Sequence, residues 1–363
     1  MFQRSFIFSP LPSRVVFGAG SLGNLLAEFN QLRVARALVI CTPEQTHLAN
    51  SVANKLGNKC SGVYPGAQMH VPIEVARHAR AHARETGADC IVAVGGGSTI
   101  GLGKAIALES SIPILAIPTT YAGSEMTPIY GLTENGAKKT GRDIRVLPRT
   151  VIYDPELTLS LPARMSATSG INAIAHCVEA LYAADASPVT SMMAEEGIRY
   201  LARGLPRVAR CLEDIDARAQ CLYGAWLAGT VLATTSVALH HKLCHTLGGM
   251  LNLPHAETHT IVLPHATAYN ASSTPQAMDR ICSALERSNA AQGLFDLAAQ
   301  LGVPMSLEAL GVQYTDLDRV TEAALAAPYP NPRPLDRDAV RALLEDAYWG
   351  RRPDDCPPEM NAP

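Results

Sequence analysis

Six of the chain's eleven histidines fall within 26 residues, in HHKLCHTLGGMLNLPHAETHTIVLPH: His240, His241, His245, His255, His259 and His265. A seventh, His176, lies upstream in GINAIAHCVEALY. Imidazoles at this density serve metal binding or proton transfer, because the ring is a neutral ligand and also titrates near neutral pH. Four residues before His176, where a metal site would place a carboxylate, stands Asn172. Cys244, inside the cluster, reads as a small buried filler rather than a nucleophile.

A second group of residues suits phosphate. Val94-Gly95-Gly96-Gly97-Ser98-Thr99 ends the apolar run CIVAV and leads into the helix-like TIGLGKAIAL. Three glycines clear every Cβ from the turn, so backbone N–H groups can approach a pyrophosphate; Ser98 adds a hydroxyl and the helix its positive end. A Walker A loop is excluded, since Ser98 stands five residues before Gly103-Lys104, where the first glycine would be, and Ala105 rather than Ser or Thr follows Lys104. A dinucleotide fits better than ATP. Gly18-Ala19-Gly20-Ser21-Leu22-Gly23 also matches G-x-G-x-x-G, with Glu44 about twenty residues on, but a strand-to-helix turn explains it equally well. In Pro118–Thr127, the hydroxyls of Thr119, Thr120 and Thr127 can contact phosphate, ribose or nicotinamide amide, or can simply tie the loop to itself.

These loops need a sheet to hold them. Strand-like runs at 14–17, 37–41, 90–95, 113–118 and 149–154 alternate with helix-like stretches at 22–30, 47–56, 73–86 and 99–110. Continuous apolar strands joined by helices predict an α/β domain over 1–155 with a doubly wound, mainly parallel sheet. After Asp154-Pro155 the pattern becomes helical, predicting an all-α domain over 156–350 that holds the histidines, then a Pro-rich flexible tail over 351–363. The first residues, MFQRSFIFSPLPSR, alternate like an edge strand.

Composition narrows the partners. A net charge of −3 without a long basic run argues against nucleic acid, and apolar stretches of strand length argue against a membrane span. Nine scattered cysteines without a C-x-x-C pair, and no signal-peptide pattern, read as reduced thiols in a cytoplasmic protein.

Together these segments resemble the iron-containing alcohol dehydrogenase superfamily and, within it, the maleylacetate reductases, from Phe6 to Trp349. The superfamily motifs are GGGS at 95–98, PTT and GSEMT within 118–127, YDPELT at 153–158 and the histidine block. GGGSTIGLGKAIAL, GINAIAHCVEALYA, LHHKLCHTLGG, LPHAETHTIVLPHA and YPNPRPLDRDAVRALLEDAY carry the narrower likeness. The resemblance implies the dehydroquinate synthase-like architecture, a homodimer, and a pyrophosphate on Gly95, Gly96, Gly97 and Ser98, with Gly18–Gly23 only a turn. Metal-dependent members bind iron or zinc through an Asp, a His four residues later and two further His; the matching positions are Asn172, His176, His241 and His255. Three neutral imidazoles can still hold zinc, so His176, His241 and His255 stay as residual ligand candidates. The likeness to the reductases implies that no metal is required. Gly101 replaces an Asp of the metal enzymes. Thr42 stands where many NAD-selective members have a ribose-binding Asp, so NADPH is expected beside NADH.

The implied reaction is NAD(P)H-dependent reduction of the carbon–carbon double bond of maleylacetate, and of chloromaleylacetates, to 3-oxoadipate in aromatic-compound degradation. Hydride added β to the ketone gives an enolate that needs a hydrogen-bond donor, a proton and cations for two carboxylates. By this reading His245 is the donor, and His241, His176, His255 and Asn172 line the site. Lys242 and Lys104 hold the dicarboxylate and Lys139 reaches the cofactor, whereas Arg142 and Arg145 belong to a solvated loop and His240, His259 and His265 to surface or packing. The alternatives are a metal-dependent alcohol dehydrogenase, a dehydroquinate synthase-type lyase, and a non-catalytic metal-binding protein.

Overall fold

A computed structural model of the chain describes residues 5–134 and 137–354. It contains two compact units: Pro10–Leu161 with Leu212–Leu222, and residues 5–9 with Pro162–Cys211 and Tyr223 onward.

The first unit is built on six parallel strands: β1 (Arg14–Phe17), β2 (Ala37–Ile40), β3 (Cys60–Tyr64), β4 (Cys90–Gly95), β5 (Ile114–Pro118) and, after the hairpin described below, β8 (Thr150–Tyr153). Their order is β1-β8-β5-β4-β2-β3. Its helices are α1 (Leu25–Gln31), α2 (Thr46–Leu56), α3 (Ile73–Glu85) and α4 (Gly97–Ser110). Val39, Val92, Val94, Leu115, Ile117 and Ile152 pack with Leu25, Phe29, Ala49 and Val52 of α1 and α2. Alternate residues turn the other way: Ile40, Ile91 and Ala93 lie against Gly103 of α4. Helices therefore cover both faces, and every residue of β2, β4, β5 and β8 is buried. Burial on both sides is why these strands read as unbroken apolar runs. Strand order reverses between β2, which continues to β3, and β4, which continues to β5; ligands of open α/β sheets bind at the carboxyl ends flanking such a point.

Four parts of the sequence reading change. Edge strand β3 (CSGVY) is only half buried and carries Ser and Gly, so no apolar run marks it. The charged segment expected as a loop is half of an antiparallel hairpin, β6 (Ile129–Glu134) with β7 (Ala137–Arg142). Residues 5–13 form no strand, and residues 1–4 lie outside those described. The first unit also extends past Asp154. The Asp154 carboxylate accepts from the N–H groups of Gly20, Leu22 and Glu156, which ties the following turn to the sheet. Fully buried Arg218 joins residues 212–222 to it, donating to Tyr121 Oη (3.2 Å) and the carbonyls of Leu161 (3.2 Å) and Leu212 (2.8 Å).

The second unit comprises α5 (Ala163–Tyr182), α6 (Pro188–Arg210), the later part of α7 (Ile215–Thr234), α8 (Leu239–Leu251), α9 (His255–Asn270), α10 (Pro275–Leu285), α11 (Ala290–Gln300), α12 (Asp316–Leu325) and α13 (Arg337–Trp349). Every residue of α5 from Ser166 to Tyr182 is buried, so this helix forms the unit's axis. Leu239, Leu243 and Leu247 of α8 pack with Ile261 and Val262 of α9, Val320 of α12 and Leu344 of α13. The expected tail is described only to residue 354; residues 355–363 lie outside. No single helix among the described residues is long and apolar enough to cross a membrane.

Candidate active site

The triglycine loop lies at the carboxyl end of β4 and opens α4. Gly95 adopts φ +152°, and a Cβ there would lie 2.4 Å from Thr99 Oγ1 and 2.5 Å from Gln45 Oε1. At Gly96 a Cβ would lie 2.7 Å from Thr120 Cγ2, whereas at Gly97 it would meet nothing within 4 Å. Two of the glycines thus let the chain pack on itself, and the third leaves open space against the first N–H groups of a helix. That is the shape and polarity a phosphate needs. Thr99 Oγ1 is buried and has no hydrogen-bond partner among the described residues. Across the point where strand order reverses, Gln45 Nε2 donates to Thr119 Oγ1 (2.7 Å). Thr42 lies two residues past the end of β2 and leads into the short turn Pro43–Gln45 that carries Gln45. The residues present fit a dinucleotide.

Lys104 is 1% exposed and is spent on the next loop. Its ammonium donates to the carbonyls of Ser124 (2.7 Å) and Ile129 (2.7 Å) and to Thr127 Oγ1 (2.9 Å). Burial pulls its pKa down to about 7, against the attraction of Glu125. Glu125 is itself 1% exposed and accepts from Tyr153 Oη at 2.7 Å; burial raises its pKa. In the structure, Lys104 therefore holds the 118–129 loop in shape and has its donors committed there, rather than offered to a dicarboxylate. Thr127 is a part of that clamp. Lys139 pairs with Glu134 across the hairpin at 2.6 Å.

In the helical unit, buried α5 carries Asn172, His176 and, one turn further, Glu179, all on one face at i, i+4 and i+7. Glu179 was not singled out from the sequence; its partners lie 59 to 62 residues away. Its carboxylate accepts from the backbone N–H of Ala238 (2.8 Å) and His240 (2.8 Å), capping α8 at its positive end, and from His241 Nδ1 (2.6 Å). His241 Nε2 lies 2.8 Å from His176 Nδ1, and His176 Nε2 lies 3.5 Å from Asn172 Nδ2. Asn172 Oδ1 is buried and has no partner among the described residues.

The other imidazoles extend this set. His240 and His259, expected as packing residues, are fully buried inside the cluster, joined by a 2.9 Å contact between Nε2 and Nδ1. Burial first, and then the neighbouring imidazoles, hold both well below the usual histidine range, so both are neutral. His255 packs on His259 with ring centroids 4.3 Å apart, and exposed His245 stacks on His255 at 6.2 Å. Lys242 sits over the Tyr329 ring at 5.7 Å. The structure thus gathers Asn172, His176, His241, His245 and His255. His265 stands apart beside Phe295, its pKa lowered by burial to about 4.

At the four positions where metal-dependent enzymes hold iron, the donors are one amide and three imidazoles. Iron sites of this kind include a carboxylate, and here none is offered: the nearby Glu179 is committed to α8 and to His241. His176 Nδ1 and His241 Nε2 face each other. The set does not fit iron. His240, Cys244 and His259 also converge, with one ligand atom each within 4.8 Å of the others, but burial drives the thiol well above its ordinary pKa.

A parallel sheet with a glycine cradle at its switch point, and a separate helical unit carrying an imidazole cluster, define a two-unit oxidoreductase. The chain belongs to the iron-containing alcohol dehydrogenase family: the model for iron-containing alcohol dehydrogenases matches residues 12–155, and that for the family's C-terminal part matches 166–348. A maleylacetate reductase of Burkholderia cepacia is 60% identical over 97% of this chain and 100% of its own length. One from Delftia acidovorans is 56% identical over 96% of this chain and 99% of its own length. The crystal structure of maleylacetate reductase from Agrobacterium tumefaciens superposes with a TM-score of 0.93 at 51% identity, covering 97% of this chain and all of that one. A 1,3-propanediol oxidoreductase structure, 26% identical, matches at 0.88 over 95% of this chain and all of that one.

Proposed function

We propose that this chain is a maleylacetate reductase, using NADH or NADPH to reduce the carbon–carbon double bond of maleylacetate to 3-oxoadipate without a metal. The observation that carries the metal-free part of this reading is the Asn172–His176–His241 chain: hydrogen-bonded imidazoles and an amide where metal-dependent relatives need a carboxylate. The names of the relatives at 56–60% identity support the substrate.

Gly95, Gly96, Gly97 and Ser98 hold the cofactor's pyrophosphate, with Thr119 and Thr120 beside it and Thr42 on the ribose side. When bound there, the nicotinamide would supply the hydride needed at the alkene carbon β to the ketone. Conjugation has already made that carbon electrophilic, so the protein needs hydrogen bonds rather than a Lewis acid to stabilise the enolate. Exposed His245 donates the proton that the adjacent carbon takes up. His176, His241 and His255 line the pocket, and Lys242 meets a substrate carboxylate. The protein works as a cytoplasmic homodimer in aromatic-compound degradation, and chloromaleylacetates are further substrates.

Following NADH loss on addition of maleylacetate, with product identification by mass spectrometry, tests the proposal. One 3-oxoadipate per NADH is expected. A chain that oxidised primary alcohols and left maleylacetate untouched would replace it with a metal-type alcohol dehydrogenase, and turnover without net NADH consumption would favour the lyase reading.

A further inference from the structure

We infer that Glu179 is a positioning residue: it sets the direction of every hydrogen bond from α8 through His241 and His176, and thereby dictates that residue 172 be a donor. This deepens the proposed function and rests on it for its kinetic part. The direction follows from groups whose polarity cannot change. The backbone N–H groups of Ala238 and His240 can only donate, and both point at the Glu179 carboxylate. The same oxygen that takes the Ala238 N–H, Oε2, also faces His241 Nδ1 at 2.6 Å. Already accepting the Ala238 N–H beside the positive end of α8, that oxygen accepts from the ring as well, so the His241 ring brings its proton to Nδ1.

With its single proton at Nδ1, the His241 ring carries a lone pair at Nε2. His241 Nε2 must then accept, which makes His176 the donor through Nδ1 across the 2.8 Å contact. His176 is left with a lone pair at Nε2, facing residue 172 at 3.5 Å. An amide meets that lone pair with its N–H₂. A carboxylate would set one acceptor against another, tolerable only with a proton or metal cation between them. Asn172 is therefore the residue that a metal-free chain of this polarity requires, and its buried, unpartnered Oδ1 is the acceptor on which the chain ends. Glu179 sits three links away and acts only through these neighbours.

Nitrogen-15 NMR of the wild-type protein labelled at histidine reads the tautomers directly, with His176 and His241 assigned by single substitution. Both rings are expected to carry hydrogen at Nδ1 and a bare Nε2; hydrogen on Nε2 of either ring overturns the inference. In Glu179→Gln one carboxylate oxygen becomes N–H₂, which faces a backbone N–H in either placement and His241 Nδ1 as well in one. Mixed tautomers are expected, with kcat on maleylacetate lowered about 100-fold or more and KM for NADH unchanged. Wild-type kcat, or lost kcat with unaltered tautomers, would reduce Glu179 to a helix cap. If the variant fails to fold, the wild-type spectrum still decides. A chain with no activity on maleylacetate would remove the proposed function but leave that spectrum as the test of the polarity.

Discussion

Gly97→Ala separates a loop built for a ligand from one that is merely tight. The position opens α4, lies outside the left-handed region, and has nothing within 4 Å of a new Cβ. Alanine there should therefore cost the free protein nothing and restrict the unfolded chain, a gain of about 0.4–1 kcal/mol. The same methyl would occupy the space through which a pyrophosphate approaches the helix N-terminus. Displacing the phosphate from one charge-assisted hydrogen bond costs about 1.5–3 kcal/mol, or roughly 10- to 150-fold in affinity. Gly95→Ala is the contrasting control: at φ +152° and 2.4 Å from Thr99 Oγ1 it strains the loop, so stability falls together with binding. Titration of NADH by fluorescence, paired with thermal melting, reads both variants. A Gly97→Ala protein that melts at or above the wild-type temperature yet binds NADH at least tenfold more weakly is the expected result. Wild-type affinity for NADH would refute the assignment of the pyrophosphate to this loop.

Other outcomes follow from the clamp and the cluster. Lys104→Met removes the tie between α4 and residues 124–129 and should raise KM for NADH several-fold, checked by steady-state kinetics. Lys104 also makes stability depend on pH. With its pKa lowered to about 7, the folded chain binds fewer protons than the unfolded one between about 7 and 10, so this residue makes stability rise with pH across that window. The difference in melting temperature between wild type and Lys104→Met should change with pH accordingly; a constant difference would contradict the buried ammonium. Asn172→Asp places a carboxylate against His176 and should raise zinc affinity, measurable by competition with a chromophoric chelator. Unchanged zinc uptake would mean that the three imidazoles do not converge.

The sheet was legible where strands are buried on both faces, because ALVI, CIVAVG and ILAIP leave no polar alternation to misread. It was not legible at β3 or in the β6–β7 hairpin, where Ser, Gly and Lys interrupt any apolar run. Asn172 and His176 could be paired from sequence since both sit on one helix face. Glu179 could not, because its meaning comes from α8 backbone groups some sixty residues away, which no helical period encodes. Lys104 was visible as a cation near the cofactor loop, but its commitment to Ser124, Thr127 and Ile129 depends on where the loop folds back. The extension of the α/β unit to 212–222 rests on buried Arg218, a charged residue that a sequence reader places at the surface.

The central claim is that imidazoles and an amide do here what a metal does in related enzymes. Its most direct test is turnover of maleylacetate with NADH before and after exhaustive dialysis against a strong chelator, with metal content measured on the same samples. Full activity in metal-free protein is the result expected. Activity that disappears with the metal, and returns on adding stoichiometric iron or zinc, would contradict it.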